Sequence, residues 1–366
     1  MPTSHQRGLN VANMSEIRPN LGLRDKATRA LLSISELSGL TVISTKARDK
    51  ILESAPWLGP YFLIAETTKH RIDTDSRAAD DNLNYKSGEL ADLRRRYIGH
   101  PACDHVQWGS SEVEAQVSLQ TFRSDNLYVF QSRRYPPWVF YATAAYVKEV
   151  DRLDLWSRLD EDGRWGAEVF DFHGKAVSRD LLDSIIEMNF LERHLGLSSR
   201  TALEVLDIGA GYGRLAHRMA SAFANLRAYY CVDAVPESTF ISDYYLKARQ
   251  MTDRCTVVPL DKLGELQPAE NIGLAINIHS FPECRASVIE WWLHQLAEMR
   301  IPWLFIASSP HLGLTSHEGK GVRKDFQRAL EKTGFRLFVK ESKFESAPVL
   351  QNSGLYPADY YLFKHS

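Results

Sequence analysis

The sequence predicts an α/β fold for its C-terminal part: a mostly parallel sheet with helices on both faces, preceded by a mixed, mainly helical N-terminal region. Three observations carry this. From Ala202 onward, short apolar runs rich in branched and aromatic residues alternate with helical stretches, the pattern of strands joined by crossover helices. One of those runs passes straight into three glycines at every second position, Gly209, Gly211 and Gly213, with a helix directly after them. The chain is also long, 366 residues with 44% hydrophobic residues, enough for two folding units and a sizeable core.

In chain order, residues 1–25 are polar and mixed and read as a flexible leader, without the apolar stretch of a signal peptide. Residues 26–155 read as an accessory or acceptor-binding region. It holds helical patterns at 27–37 and 46–63, a polar loop at 71–89, and an aromatic, apolar stretch at 113–147. That stretch contains Phe130, Tyr135, Trp138, Phe140, Tyr141 and Tyr146. Such a run reads as core, with the wall of a cleft as the competing reading. Residues 156–366 form the main domain. Asp160-Glu161-Asp162-Gly163 marks a turn, and Ser178 is placed to cap a helix running to Leu195. Leu181, Leu182, Ile185, Met188, Leu191 and Leu195 keep the helical period. Asp180, Ser184 and Glu187 share a second face, read as solvent-exposed unless it meets a substrate.

Strands are expected at 203–208, 228–234, 255–260, 274–278, 303–307, 335–340 and 360–364. Helices are expected at 214–224, 237–250, 285–299 and 322–332, the second with Pro236 at its first position. Ligands of such sheets bind at the carboxyl ends of the strands, near the point where the strand order reverses.

Charge and cysteine usage exclude several classes. A formal net charge of -2 lacks the basic surplus of a nucleic-acid binder. Arg94-Arg95-Arg96 and Arg133-Arg134 read as solvated faces. Cys103, Cys231, Cys255 and Cys284 show no CxxC spacing, which fits reduced cysteines and a cytoplasmic location. No run approaches the ~20 apolar residues of a membrane helix. The expected partner is a small molecule, not nucleic acid or a membrane.

The stretch from Glu204 to Leu215 carries the functional argument. A dinucleotide fingerprint, G-x-G-x-x-G, needs glycine at 214, where the chain has Arg214. The spacing G-x-G-x-G, with Asp207 two positions before the first glycine, instead resembles the glycine motif of the class I S-adenosylmethionine-dependent methyltransferases. The next strand ends in Asp233, placed to accept from ribose hydroxyls. The third is followed by Asp261, placed to accept from an adenine amino group. Within that class, three blocks resemble the bacterial sugar O-methyltransferases: Val177 to Ser184 with Glu187 and Asn189 to Leu191, Leu206 to Ala216, and Asn277 to Glu283. The resemblance spans roughly residues 155–366. It implies a Rossmann-like class I methyltransferase fold, S-adenosylmethionine as cofactor, and a saccharide hydroxyl as acceptor.

Methyl transfer to a hydroxyl needs alignment and a proton acceptor. His279, after the fourth strand, is the first candidate base because an imidazole titrates near working pH, and Glu283 orients it or serves as base itself. Structural roles compete for both. Asn277 is counted with the cofactor site, though bracing the backbone suits it better. Arg179 is placed to reach the methionine carboxylate, and Asp180, Ser184 and Glu187 to touch the acceptor. The competing account is an ordinary helix start, with Asp180 favoured by the helix dipole and Arg179 paired to Asp183. No metal is predicted: a divalent ion would acidify a hydroxyl, but the carboxylates it needs are not grouped, and His100, Cys103, Asp104 and His105 cluster by chance. His311, His317 and Glu318 read as loop surface. The alternatives are a methyltransferase for a natural-product hydroxyl or amine, and a non-catalytic S-adenosylmethionine-binding subunit.

Overall fold

The computed structural model describes residues 71–72, 83–106, 108–126, 129, 135, 137–266, 271–348 and 350–366. The expected leader at 1–25, the helical patterns at 27–37 and 46–63, Phe130 and Arg133-Arg134 lie outside the described residues.

The described elements begin with a two-residue strand β1, Arg71–Ile72, and the helices α1, Gly88–Tyr97, α2, Ser110–Gln116, and α3, Pro137–Val150. A hairpin follows, β2, Val169–Phe172, and β3, Lys175–Val177, leading into α4, Arg179–Leu195. The main sheet starts with β4, Leu203–Ile208, then α5, Arg214–Ala222, β5, Leu226–Val232, α6, Pro236–Ala248, and β6, Cys255–Val257. It continues with β7, Leu274–Ile278, α7, Ala286–Glu298, β8, Trp303–Ser308, α8, Gln327–Lys332, β9, Phe335–Ser342, and β10, Asp359–His365.

Seven strands lie in the order β6-β5-β4-β7-β8-β10-β9, with β10 antiparallel to both of its neighbours. β4 pairs in parallel with β5 on one side and β7 on the other. It is buried along its whole length, which is why it reads as a nearly continuous apolar run. Strand order reverses at β4, so the crevice between the carboxyl ends of β4 and β7 is the switch point where such sheets hold ligands. This mostly parallel sheet with its helices is a Rossmann-like α/β fold.

Several boundaries differ from the sequence expectation. The segment at 71–89 is not all loop: Arg71–Ile72 pairs with β2, and α1 begins at Gly88. β6 stops at Val257, two residues before Pro259, which has no N–H for a ladder. α8 starts at Gln327 rather than 322, because the preceding loop is held by the pairs Thr315↔Asp325 and Gly319↔Val322.

Ser178 caps α4 by accepting from the Leu181 N–H at 3.2 Å. The polar face of α4 is not solvated. Asp180, Ser184 and Glu187 are all buried, because α5 lays Arg214 against them: its guanidinium donates to Ser184 Oγ at 2.7 Å and to both Glu187 oxygens at 2.8 and 3.1 Å. Most of the described part of the aromatic stretch packs as core, Phe140 against Phe170 at 4.2 Å and Tyr146 against Phe344 at 5.2 Å, while Val129 reaches the wall of a cavity.

The N-terminal helices dock onto the sheet domain through charge. Arg94 pairs with buried Glu237 at 2.7 Å and Arg96 with Asp261 at 2.7 Å, while the Tyr97 hydroxyl accepts from the Leu260 N–H. Arg123, fully buried, donates to Glu161 and to Asp180. Arg218 meets the same Glu161 oxygen at 3.0 Å.

Candidate active site

The glycine loop is fixed by backbone conformation and close approach. Gly209 has φ +74°, and a Cβ there would sit 2.4 Å from Ser280 Oγ, so this position holds the β4 and β7 loops together. Gly211 has φ +57° and nothing within 4 Å of a Cβ position, leaving open space on the cavity side. Its N–H donates to Asp233 Oδ2 at 3.0 Å, and Asp233 Oδ1 accepts from Val235 N–H at 2.8 Å. The carboxylate at the end of β5 therefore stands rigidly beside the loop.

Around them lies an open cavity at the switch point. Its wall brings together Asp207, Gly209, Gly211 and Asp233 from the β4 and β5 ends with His279 and Glu283 from the β7 end. Arg179 and Asp180 reach it from the first turn of α4. Residues that local sequence reasoning missed also line it: His105 and Trp108 from the N-terminal region, Tyr212 and Arg214 from the glycine loop, and Tyr356 from before β10.

Electrostatics separate the polar groups. Burial pushes Asp233 up to about 6, against the two backbone N–H groups it accepts from. Burial also takes Asp207 up to about 7, opposed by the Tyr229 hydroxyl that donates to it at 2.8 Å. Glu283 rises to about 8 through burial, with Trp108 opposing the shift. His279 goes the other way, down to about 3, through burial and the nearby Arg179 cation. The titration near neutrality expected of His279 is thus absent, and Glu283 titrates closest to neutrality from above. His279 also holds φ +61°, an uncommon conformation for a non-glycine residue, with its N–H bonded to Ala307 O at 2.8 Å. Its ring meets Tyr356 edge-on at 4.8 Å, and the Arg179 guanidinium lies 3.9 Å from the same Tyr356 ring. Arg179 Nε also donates to Asp183 at 2.9 Å, the helix-internal pair weighed from sequence.

Other expected site residues fall elsewhere. Asp261 lies outside the cavity, because Arg96 takes both its oxygens at 3.0 and 2.7 Å. Ser184 and Glu187 do not reach the wall, since Arg214 stands between them and the cavity. Gly213 is the residue before α5, with φ +85°, and is not on the wall. Asn277 is fully buried and braces backbone: its amide donates to Ile208 O at 2.9 Å and accepts from Phe281 N–H at 2.8 Å. Asp180 is on the wall, but its Oδ2 already accepts from Arg123 and Tyr212. Among the described residues no three His, Cys, Asp or Glu side chains are grouped to hold a metal ion.

No protein-family model matches the chain, and no curated protein sequence matches it. Solved structures do. The crystal structure of the cyclase SpnF is 12% identical over 61% of this chain and 96% of that one, with a TM-score of 0.39. Magnesium protoporphyrin IX methyltransferase from Synechocystis PCC 6803, with bound SAH, is 15% identical over 61% of this chain and 99% of that one, TM-score 0.38. An S-adenosylmethionine-dependent methyltransferase from Clostridium acetobutylicum is 10% identical over 50% of this chain and 90% of that one, TM-score 0.36. Strand order and the glycine loop after β4 define the Rossmann-like fold independently of these likenesses.

Proposed function

We propose that this chain binds S-adenosylmethionine in the switch-point cavity and transfers its methyl group to a hydroxyl of a sugar or glycan precursor. The observation that carries the reading is the joining, in one cavity, of the glycine loop, the β5 carboxylate and the polar groups after β7. The residues fit the cofactor. Gly211 leaves room that a Cβ would fill. Each Asp233 oxygen accepts one backbone N–H and keeps a lone pair for a ribose hydroxyl. Arg179 offers a cation for the methionine carboxylate. Asp207, Asp233 and Glu283, all hard to ionise when buried, gain from a positive charge placed among them. When bound, the cofactor supplies a methyl group activated by its positively charged sulfur.

The protein's own task is then to place the acceptor oxygen and remove its proton. Glu283 takes the proton: its carboxylate is the more basic of the two candidates, and its reluctance to ionise makes it a strong acceptor once charged. His279, neutral at working pH, accepts a hydrogen bond that orients the hydroxyl. Trp108 and Tyr356 beside Arg179 and His279 give the cavity aromatic surface with interspersed polar groups, which suits a polyhydroxylated ring. The three sequence blocks resembling sugar O-methyltransferases support the same acceptor. Four free cysteines, three of them buried, support a reducing compartment.

Calorimetric titration of the full chain with S-adenosylmethionine and with NAD tests the cofactor. Binding of the first and not the second is expected; the reverse result ends the reading. Transfer of labelled methyl to nucleotide-sugars and oligosaccharides, compared with phenolic alcohols, then tests the acceptor. Labelling of the phenols alone would replace the sugar with a natural-product hydroxyl.

A further inference from the structure

The stretch around Trp108 matches no motif, yet the structure puts it at the site. Residues 100–106 cross the carboxyl edge of the sheet. The His100 ring meets Trp291 edge-on at 4.9 Å, and Asp104 pairs with Arg285 at 3.0 Å. Cys103 Sγ and His105 Nε2 both reach the Ala234 carbonyl, each at 3.3 Å, just beyond the end of β5. His105 also forms an antiparallel bridge with Cys284, the neighbour of Glu283. The segment is therefore fastened to both loops that frame the cavity. Trp108, buried, follows it and lines the cavity wall together with Glu283. Its indole N–H, a donor with no acceptor capacity, donates to the Glu283 carboxylate.

We infer that Trp108 is a positioning residue, its indole N–H holding the Glu283 carboxylate as proton acceptor beside the charged sulfur of the methyl donor. The inference rests on the proposed role of Glu283 and extends it: the N-terminal region completes the site rather than merely flanking it. A donor-only partner stabilises the ionised carboxylate more than the neutral acid, so it keeps Glu283 more acidic than burial alone would leave it. The other groups facing Glu283 are Asp233 from β5, which opposes its ionisation, Arg323 from the loop before α8, which favours it, the Cys284 thiol, and the Tyr356 hydroxyl.

The test needs no acceptor. S-adenosylmethionine and S-adenosylhomocysteine differ by one methyl and its positive charge, so the ratio of their affinities reports a carboxylate next to the sulfur. Both are titrated into the full chain from about pH 6 to about pH 10, a span that brackets a raised carboxyl. For the unaltered chain, the preference for the charged ligand rises with pH in two limbs, the lower as Asp233 and Asp207 ionise and the upper, near 8, as Glu283 does; the upper limb is the readout. In Trp108→Phe the midpoint of that rise moves up by about half a unit to one unit, the loss of one charge-assisted hydrogen bond. In Trp108→His, which keeps a ring N–H, it stays near the original value; this variant also serves if Trp108→Phe does not fold. A midpoint unmoved in Trp108→Phe, with the upper limb abolished in Glu283→Gln, overturns the positioning role and leaves the Glu283 reading standing. If the limb near 8 survives in Glu283→Gln, beyond the lower limb that Asp233 and Asp207 supply, Glu283 is removed from the sulfur and both readings fail together.

Discussion

At the scale of single residues, the cavity sets two candidate bases against each other and separates them by environment. A buried imidazole beside a guanidinium resists a proton, so His279 lies at about 3 and is neutral across the working range. A buried carboxyl beside Asp233 holds its proton, so Glu283 lies at about 8 with the cavity empty of charge. A cation at the cofactor site favours the carboxylate and lowers that value. The sign of the pH dependence follows. The rate at low acceptor and cofactor should rise with pH toward about 8, and the rate at saturation should level off at lower pH. Glu283→Gln is expected to cut turnover by ~10²–10⁴, the usual worth of a general base, and to remove that rising limb. His279→Ala should cost less and leave the limb where it is, with cofactor affinity near normal. Turnover rates of the two variants across pH decide it: a limb that vanishes with His279 and persists without Glu283 would exchange their roles.

At the scale of elements, α4 shows what local sequence encodes and what it does not. Its Ser178 cap, its apolar period and its end at Leu195 are set by neighbours within a turn or two, and all were legible. The bounds of β4 and β7 were legible for the same reason, an apolar run ended by a glycine or a turn. The fate of its polar face was not. Arg214 reaches Glu187 from 27 positions away, and Lys343 reaches Asp183 from 160. Nothing local announces such partners. Asp261 was misplaced by the same blindness, since the arginine that claims it stands 165 positions earlier. Trp108 likewise comes to the site only through the docking of a distant segment.

The Glu187–Arg214 pair itself makes a stability prediction. Glu187 is buried and Arg214 partly so, with one side on the cavity, and Glu187→Leu leaves the arginine without its bidentate partner. That should cost about 3–5 kcal/mol, the penalty of a buried charge stripped of its counterion. In a chain of this size the melting temperature should then fall by roughly 4–7 °C. Glu187→Leu combined with Arg214→Met should recover most of the loss, because no charge is left uncompensated. Thermal melts of the single and double variants check this; equal melting temperatures for both would mean the pair carries no such coupling.

At the scale of the whole molecule, two sets of buried acids pull stability in opposite directions with pH. Glu161, despite its burial, is held far below the usual carboxylate range by Arg123 and Arg218, and so joins the N-terminal region to α5. Its folded pKa is depressed, so its contribution is present above the unfolded value and is lost as pH falls through the acid range. The cavity acids behave oppositely. Asp233 at about 6, Asp207 at about 7 and Glu283 at about 8 hold protons in the fold that the unfolded chain releases near pH ~4. Over that window these three acids bind more protons in the fold, so their contribution falls as pH rises, outweighing the smaller opposite effect of His279 and His217, which are neutral in the fold and protonated in the unfolded chain below pH ~6.5. The cofactor-free chain should therefore melt at a lower temperature near pH ~8 than near pH ~5.5. S-adenosylmethionine, bringing a positive charge to the same cavity, should raise the melting temperature more at the higher pH, since ligand stabilisation follows affinity. S-adenosylhomocysteine, uncharged at sulfur, should show a weaker pH dependence. Melting curves with and without each ligand at the two pH values measure all of this. A cofactor-free melting temperature that climbs steadily from pH ~5.5 to pH ~8 would mean these three acids do not govern stability in that range. Equal stabilisation by the charged ligand at both pH values would remove the sulfonium from their company.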